Sequence, residues 1–440
     1  MSELTRRSVL AGTSAFTIIK PELVRGAGQE RIRVGIVGCG GRGTQAVVNL
    51  MQADANVELV AMGDIFEDKL EGSLKNLRDP RYVEKNVATS APALNQKTPE
   101  LVNSIISRVK VDPEHHLIGF DAFKKVIASD VDMVMLVTPP GYRPEQFEAV
   151  INAGKHCWAT KPIATDPAGV RRFMASVKVA QQKKLCVNGG TPGVSGVNAI
   201  ETKAKIKSGA IGDIVAIQTT NYAPPVLHVP TGRDSKWADM EWQHREWYSF
   251  VWICGDMLVE QAVHGVTFCT WMMDGHPERV VSEGGAAWRP KEEMYGNIYD
   301  HHDSNFVFAN GAHMYSYCRQ YPTAGVGGRG GVAGNIFYGT KGRSTGTDMG
   351  SLQGKIDGFV QEHQRMMKAI RGDAPYLNEG MVIAEGTMTC VMAREAAYSG
   401  EEITWDMIMN SKQDLQPKQF DYKLKMDVPP LPVPGKYKFI

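Results

Sequence analysis

The chain reads as an α/β protein in two parts, a doubly wound parallel sheet followed by an α+β region whose strands suggest a largely antiparallel sheet. Three observations predict this. A short apolar run, residues 34–37, is followed at once by a glycine-rich turn and a helix-compatible stretch, residues 44–52. Apolar runs then alternate with helical spacing as far as Asn188. From about Gly189 the strands follow one another across turn residues instead of regular helices. With 440 residues the chain is long enough for two hydrophobic cores.

The first strand ends at Val37 and runs into Gly38-Cys39-Gly40-Gly41-Arg42-Gly43. Gly38 permits the tight turn, Gly40 lets backbone approach a phosphate, and Gly43 allows the helix to pack closely on the strand. The helix N-terminus then offers free N–H groups to a pyrophosphate. A second apolar run, 57–62, ends near Asp64, about twenty residues beyond Gly43, where a carboxylate can accept both ribose hydroxyls. Ile65 and Phe66 follow it, with no adjacent Arg or Lys to hold a 2′-phosphate. The expected cofactor is therefore NAD in preference to NADP.

The polar stretch 67–114 shows helical periodicity only over 101–109 and is expected to cover one edge of the nucleotide domain. A helix over 120–127 precedes a buried strand, 131–137, broken by Thr138-Pro139-Pro140 at the carboxyl edge of the sheet, where ligands bind in doubly wound folds. Residues 142–153 form a helix closed by Gly154. The strand 156–159 delivers Thr160-Lys161-Pro162 to the same edge. Asp166 caps a helix that has Pro167 in its first turn and runs to about Lys183, and 185–188 is the last strand. Beyond it, 214–221, 279–283, 303–308 and 313–317 read as strands and 359–370 and 380–398 as helices. The aromatic-rich stretch 242–262 is expected to be helical in its second half, and 325–334 to be a glycine-rich loop. The expected division is a leader at 1–29, a nucleotide domain at 30–189, an α+β domain at 190–416 and an extended tail at 417–440.

Net charge is +1, from 49 basic and 48 acidic residues, which gives no electrostatic reason to expect nucleic acid or an anionic membrane as partner. Seven scattered cysteines form no C-x-x-C pair and read as buried thiols, neither a disulfide framework nor a zinc site. Thr5-Arg6-Arg7-Ser8-Val9-Leu10 precedes an apolar run, 11–19, too short to span a bilayer, so stable membrane insertion is not expected. Twin arginines before such a run resemble a Tat export signal, with the Tat machinery as partner and the periplasm as destination. Without a functional leader the protein would be cytoplasmic.

Hydride transfer from an alcohol needs a group to take the hydroxyl proton. Lys161, at a strand end close to where a nicotinamide should lie, is one candidate, since burial and a positive ring lower an ammonium's pKa. Glu260 and His264 are four apart, so they share one helix face, and the carboxylate can orient the imidazole or share a proton relay with it. A metal would need further ligands, for which His301-His302-Asp303 is the nearest candidate. No metal is expected.

The glycine-rich turn, Thr138-Pro139-Pro140, Lys161-Pro162 and Glu260-x-x-x-His264 together resemble the Gfo/Idh/MocA oxidoreductases. The likeness extends to their Tat-exported bacterial branch through Met240-Glu241-Trp242-Gln243, Arg245 to Tyr248, Cys254-Gly255-Asp256 and Asn410-Ser411-Lys412. It implies a Rossmann domain followed by an α+β domain whose open, mainly antiparallel sheet supports a homo-oligomer, a dimer or tetramer. It also implies NAD(P)-linked chemistry on a sugar, polyol or glycoside. By the same resemblance Gly38, Cys39, Gly40, Gly41, Arg42, Gly43, Asp64, Thr138, Pro139 and Lys161 contact the cofactor. Lys161 and His264 are catalytic, with Glu260 one turn before the histidine. Trp247, Tyr248, Arg245 and Arg319 are candidates for binding the sugar, although aromatics such as these, and Trp242, are as readily core residues.

Three departures stand out. The family's Glu before Lys-Pro is Thr160, which leaves the lysine without its usual carboxylate partner. Gly265-Val266-Thr267 replaces an Asn-x-Asp continuation, with Met257 and Ala262 where His is usual. Residues 188–193, Asn-Gly-Gly-Thr-Pro-Gly, replace a basic segment. The leading expectation is a dehydrogenase that takes hydride from a ring carbinol. A redox-neutral glycoside hydrolase or lyase working by transient oxidation, and a non-catalytic sugar-binding relic, are the alternatives.

Overall fold

The computed structural model describes residues 31–88, 97–225, 232–322, 332–352 and 357–440, so the leader expected at 1–29 lies outside the described residues, as does most of the glycine-rich stretch 325–334. Six strands form the first sheet: β1 (Ile32–Val37), β2 (Val57–Asp64), β3 (His116–Ile118), β4 (Met133–Leu136), β5 (His156–Ala159) and β6 (Val187–Asn188). Their order is β3-β2-β1-β4-β5-β6 and every pairing is parallel. Helices cover both faces, which is why the strands are continuous apolar runs; all four residues of β4 are fully buried. The strand order reverses between β1 and β4, and that switch opens a crevice at their carboxyl ends.

The region expected as a polar cover is mostly helical. Helices Glu67–Leu77, Pro80–Asn86 and Pro99–Ser107 occupy it. The start signals were in the sequence: Asp79 and Thr98 each precede a proline and accept a backbone N–H, from Arg81 and Leu101. Leu70, Leu74, Leu77, Val83, Val102 and Ile105 bury against the same core as β1 and helix Gly41–Ala53. The polar residues that masked this periodicity are the solvent face. The Asp166 cap is as expected, its carboxylate accepting the Gly169 N–H at 2.7 Å.

The second sheet has seven strands: β7 (Ile214–Ala223), β8 (Arg279–Gly285), β9 (His301–Val307), β10 (His313–Gln320), β11 (Val332–Gly339), β12 (Gly342–Ser344) and β13 (Ile403–Thr404). The order is β12-β11-β7-β10-β9-β8-β13, antiparallel except for the β7–β10 pair. Residues 332–334, expected in a loop, are thus strand. Helices Val263–Met273 and Gly380–Ser399 pack on this sheet. Alternate residues of β9 and β10 are buried, as a sheet covered on one face requires.

The carboxy-terminal part does not stay in the second domain. Helix Gly358–Arg371 packs on helix Gly41–Ala53, and Met366, Met367 and Ile370 join the core of the first domain. Arg371 pairs with Asp54 across this contact. Residues 417–440, expected to be extended, form no helix or strand. No described helix is long and apolar enough to cross a membrane.

Candidate active site

The cofactor turn is built by backbone. Gly38 has φ +96°, and a β-carbon there would strike the backbone of Val137 on the neighbouring strand. At Gly43 a β-carbon would overlap the Gly38 carbonyl oxygen, so helix and turn approach closely because both residues are glycine. Helix Gly41–Ala53 begins at Gly40 with no side-chain cap, and the space above Gly40 and Gly41 is open. These uncapped N–H groups, facing open space, fit a pyrophosphate.

Asp64 closes β2. One of its oxygens accepts the Cys39 N–H at 2.6 Å and the other the Phe66 N–H at 2.9 Å. Burial raises its pKa while these N–H bonds pull it down. Each oxygen keeps a second lone pair, which suits two ribose hydroxyls. Cys39 therefore acts through its backbone; its thiol is buried, donates to Gly63 O and is pushed up by burial and by Asp64. Gly38, Asp64, Ile65, Phe120, Thr138 and Pro139 line one cavity between β2 and the turn after β4.

Sequence reasoning missed the residue that sets the carboxyl edge. Arg143, fully surrounded by protein, donates to Thr138 O and Pro162 O and so ties the turn after β4 to the turn after β5. Burial lowers its pKa to about 9, with Glu260 opposing the drop. Thr138 is also held through its hydroxyl, 2.7 Å from Gln146 Oε1. A lone Arg at a helix start carries no signal in sequence.

Lys161 leaves the end of β5 and is buried. Its Nζ donates to Glu260 O and lies 3.3 Å from Glu260 Oε2. Glu260 thus takes the place of the carboxylate missing at Thr160. Burial lowers the Lys161 pKa; Glu260 raises it, and Arg143 and Arg42 add to the lowering. His264 is driven well below the usual histidine range by burial, then by Lys161 and Arg42, so its imidazole is neutral.

The expected Glu260–His264 pairing is not what forms. Glu260 Oε2 accepts from Gln261 Nε2 at 2.6 Å and from Lys161, and no hydrogen bond joins it to His264. The cause is a π turn over Leu258–Ala262, immediately before helix Val263–Met273. Such a turn winds more residues than an α-helical one, so residues four apart no longer stack. Asp256 anchors this turn at φ +81°, accepting from Tyr299 N at 2.9 Å and from the Tyr398 hydroxyl, with His302 Nε2 at 3.1 Å.

Arg42 turns inward over Phe359 at 4.1 Å, toward the buried Trp158, Glu362 and His363. Of the residues expected to bind sugar, Tyr248 is fully buried, bonded to Gln320, and feels the Glu260 charge; Trp247 stands edge-on to it at 5.5 Å. Arg319 stacks over Tyr222 and Tyr321 on the second sheet. Arg245 lies elsewhere, paired with Glu241 and Asp68 and 4.1 Å over Phe66. That is the β2 end of the cleft, three strand spacings or roughly 14 Å from β5. Trp242 is core, edge-on to Phe250. His301 bonds Asp300 and His302 bonds Asp256, so these histidines do not converge on one site.

Residues 32–189 match the Gfo/Idh/MocA oxidoreductase family, NAD-binding Rossmann fold. No curated protein matches the chain by sequence. Among solved structures, scyllo-inositol dehydrogenase from Lactobacillus casei with bound NAD(H) and scyllo-inositol is 17% identical with a TM-score of 0.60, over 85% of this chain and 99% of that one. Myo-inositol 2-dehydrogenase from Lactobacillus plantarum is 14% identical with a TM-score of 0.60, over 85% and 99%. The WlbA dehydrogenase from Bordetella pertussis, in complex with NADH and UDP-GlcNAcA, is 17% identical with a TM-score of 0.59, over 85% and 98%. At these identities the likeness is one of fold. Residues 32–189 therefore carry the NAD-binding Rossmann domain of the Gfo/Idh/MocA oxidoreductase family.

Proposed function

We propose that the protein oxidises a ring carbinol of a sugar, polyol or glycoside with NAD as hydride acceptor. The observation that carries this reading is Lys161: a buried lysine of lowered pKa, held by Glu260, at the carboxyl end of β5 in a chain with an NAD-binding turn. When bound, NAD supplies the hydride acceptor at C4 of its nicotinamide. Lys161 takes the hydroxyl proton in its neutral form. Glu260 holds Nζ at the edge of the sheet, and neutral His264 accepts a hydrogen bond from a substrate hydroxyl. Polyol and sugar-nucleotide ligands in the structurally similar dehydrogenases support the substrate class.

The test is the nucleotide released on denaturation of purified protein, followed by anaerobic addition of inositols, sugars and glycosides while 340 nm absorbance is recorded. Bound NAD that becomes reduced and stays reduced until an acceptor is added is the expected result. Aglycone release without net reduction would replace dehydrogenation by redox-neutral cleavage. Failure to hold or take up NAD would overturn both.

The reading extends to place and assembly. Twin Arg6-Arg7 before an apolar run supports Tat export to the periplasm, checked by fractionation of wild type against an Arg6→Lys/Arg7→Lys variant. Val215, Val281 and Tyr315 stand exposed on the second sheet, which supports a homo-oligomer formed through that face, checked by light scattering.

A further inference from the structure

The tail has a pattern that the catalytic reading leaves unused. Phe420, Tyr422, Leu424, Met426 and Val428 alternate with Asp421, Lys423, Lys425 and Asp427. The apolar set faces the protein and the charged set faces solvent, yet the segment pairs with no strand. One side is anchored on helix Asp239–Arg245: Leu424 O accepts the Met240 N–H, Met426 O accepts from Gln243 Nε2, and Met426 N donates to Asp239. The other side lies on the nucleotide domain. Tyr422 donates its hydroxyl to Ile65 O, directly after Asp64, and its ring is 4.5 Å from Phe120. Phe420 is 5.2 Å from Tyr142 and 5.6 Å from Phe120. Ile65, Phe120 and Tyr142 all line the cavity that also contains Asp64 and Gly38. The segment therefore bridges the two walls of the cleft at its ribose end.

The cavity that these residues line has a volume of about 50 Å³. That is a third of the roughly 150 Å³ in which a benzene ring is accommodated. An aromatic ring needs more room than that, and Ile65, Phe120 and Tyr142, which line the cavity, are the residues on which the segment packs.

We propose that residues 417–428 form a retaining strap over the adenosine half of the cleft, making NAD a resident cofactor whose exchange waits on strap opening. This rests on the NAD-binding reading above and adds Tyr422, Phe420 and Phe120 to the nucleotide site.

Truncation is a poor test, because residues beyond the strap are tied in separately: Tyr437 donates to Glu395, and Ser411 donates to Ile440 O. The experiment uses full-length protein loaded with radiolabelled NAD and chased with unlabelled NAD. Tyr422→Ala and Phe420→Ala are each expected to speed release about tenfold, the scale of one aromatic contact. Tyr422→Phe keeps the ring and stays within about threefold of wild type on the same scale. In parallel, hydrogen exchange of wild-type residues 417–428 is compared with and without NAD, and slower exchange with NAD is expected. Wild-type protein that takes up no NAD overturns the cofactor reading itself. NAD that binds but leaves all proteins at one rate overturns the strap alone. Should the alanine variants fail to fold, unchanged strap exchange on NAD binding overturns it instead.

Discussion

Replacing Glu260 by Gln tests the central feature of the site. The variant keeps the backbone carbonyl that accepts from Lys161 Nζ and removes only the charge 3.3 Å away. At that distance and an effective dielectric of about 20, Coulomb's law gives roughly 5 kcal/mol of attraction. The side chains are only 10% and 9% exposed, so solvent screens little of it. Desolvation of both groups offsets part of this gain. The Lys161 pKa, already lowered by burial, loses the charge that holds it up. A neutral lysine then exists at lower pH. The acid limb of kcat/KM for alcohol oxidation is expected to move down by about one unit or more, within the range for one opposite charge. On the alkaline plateau kcat falls about tenfold, because a weaker base is held less firmly. The assay is initial rate at 340 nm from pH 5 to 10, with His264→Asn as the control that leaves the Lys161–Glu260 pair in place. An acid limb that stays put in Glu260→Gln, or moves up, would refute the assignment of Lys161 as the base.

Other outcomes follow from the same geometry. Asp64→Asn should weaken NAD by about 10- to 100-fold, the loss of charged hydrogen bonds worth roughly 1.5–3 kcal/mol, while NADP loses less; calorimetry with both nucleotides decides, and equal losses would remove Asp64 from the ribose. Arg143→Met leaves the Thr138 and Pro162 carbonyls unpaired in the interior. At about 1–3 kcal/mol for each unsatisfied group, urea unfolding should show a loss of at least 2 kcal/mol, together with weaker NAD binding. Asp256 is held below the usual carboxylate range: burial pushes it up, but His302, Tyr398 and the Tyr299 N–H outweigh that. Its folded pKa is depressed, so its contribution is present above the unfolded value of about 3.9 and is lost as pH falls through the folded one. Wild type should therefore be more stable than Asp256→Asn near pH 7, and the gap should close below about pH 4 in urea titrations.

What could be seen in the sequence was local. The turn from Val37 to Gly43, the acid at Asp64, the Asp166-Pro167 helix start and strand β5 each declare themselves within a few residues, and each stands where expected. What could not be seen was long-range. Arg143 acts on carbonyls 5 and 19 residues away through a helix start that looks ordinary. Glu362 and His363 read in sequence only as part of a helix, because nothing there marks them as belonging to the first domain, whose core Met366, Met367 and Ile370 join. The Glu260–His264 spacing was legible but misleading, since periodicity presumes an α-helix and the chain makes a π turn there. The alternation from Phe420 to Val428 was available as a pattern, but its meaning depends on Phe120 and Tyr142, nearly three hundred residues earlier.

The departure at Thr160 takes on a different sense in this light. A carboxylate next to Lys161 in sequence would be fixed by the strand that carries the lysine. Here the carboxylate comes from the π turn of the second domain, ninety-nine residues away, and Thr160 itself is buried with its N–H on Leu136 O. The charge on Lys161 therefore depends on how the domains dock. Each partner is fixed within its own domain: Arg143 ties the Lys161-Pro162 turn to the turn after β4, and Asp256 pins the start of the π turn to β9 and helix Gly380–Ser399. Consecutive left-handed residues at Gly255 and Asp256 persist only because surrounding bonds enforce them. The buried Asp256–His302–Tyr398 cluster is thus more than a core feature: by anchoring the turn that carries Glu260, it holds in place the charge that opposes the burial-driven drop of the Lys161 pKa.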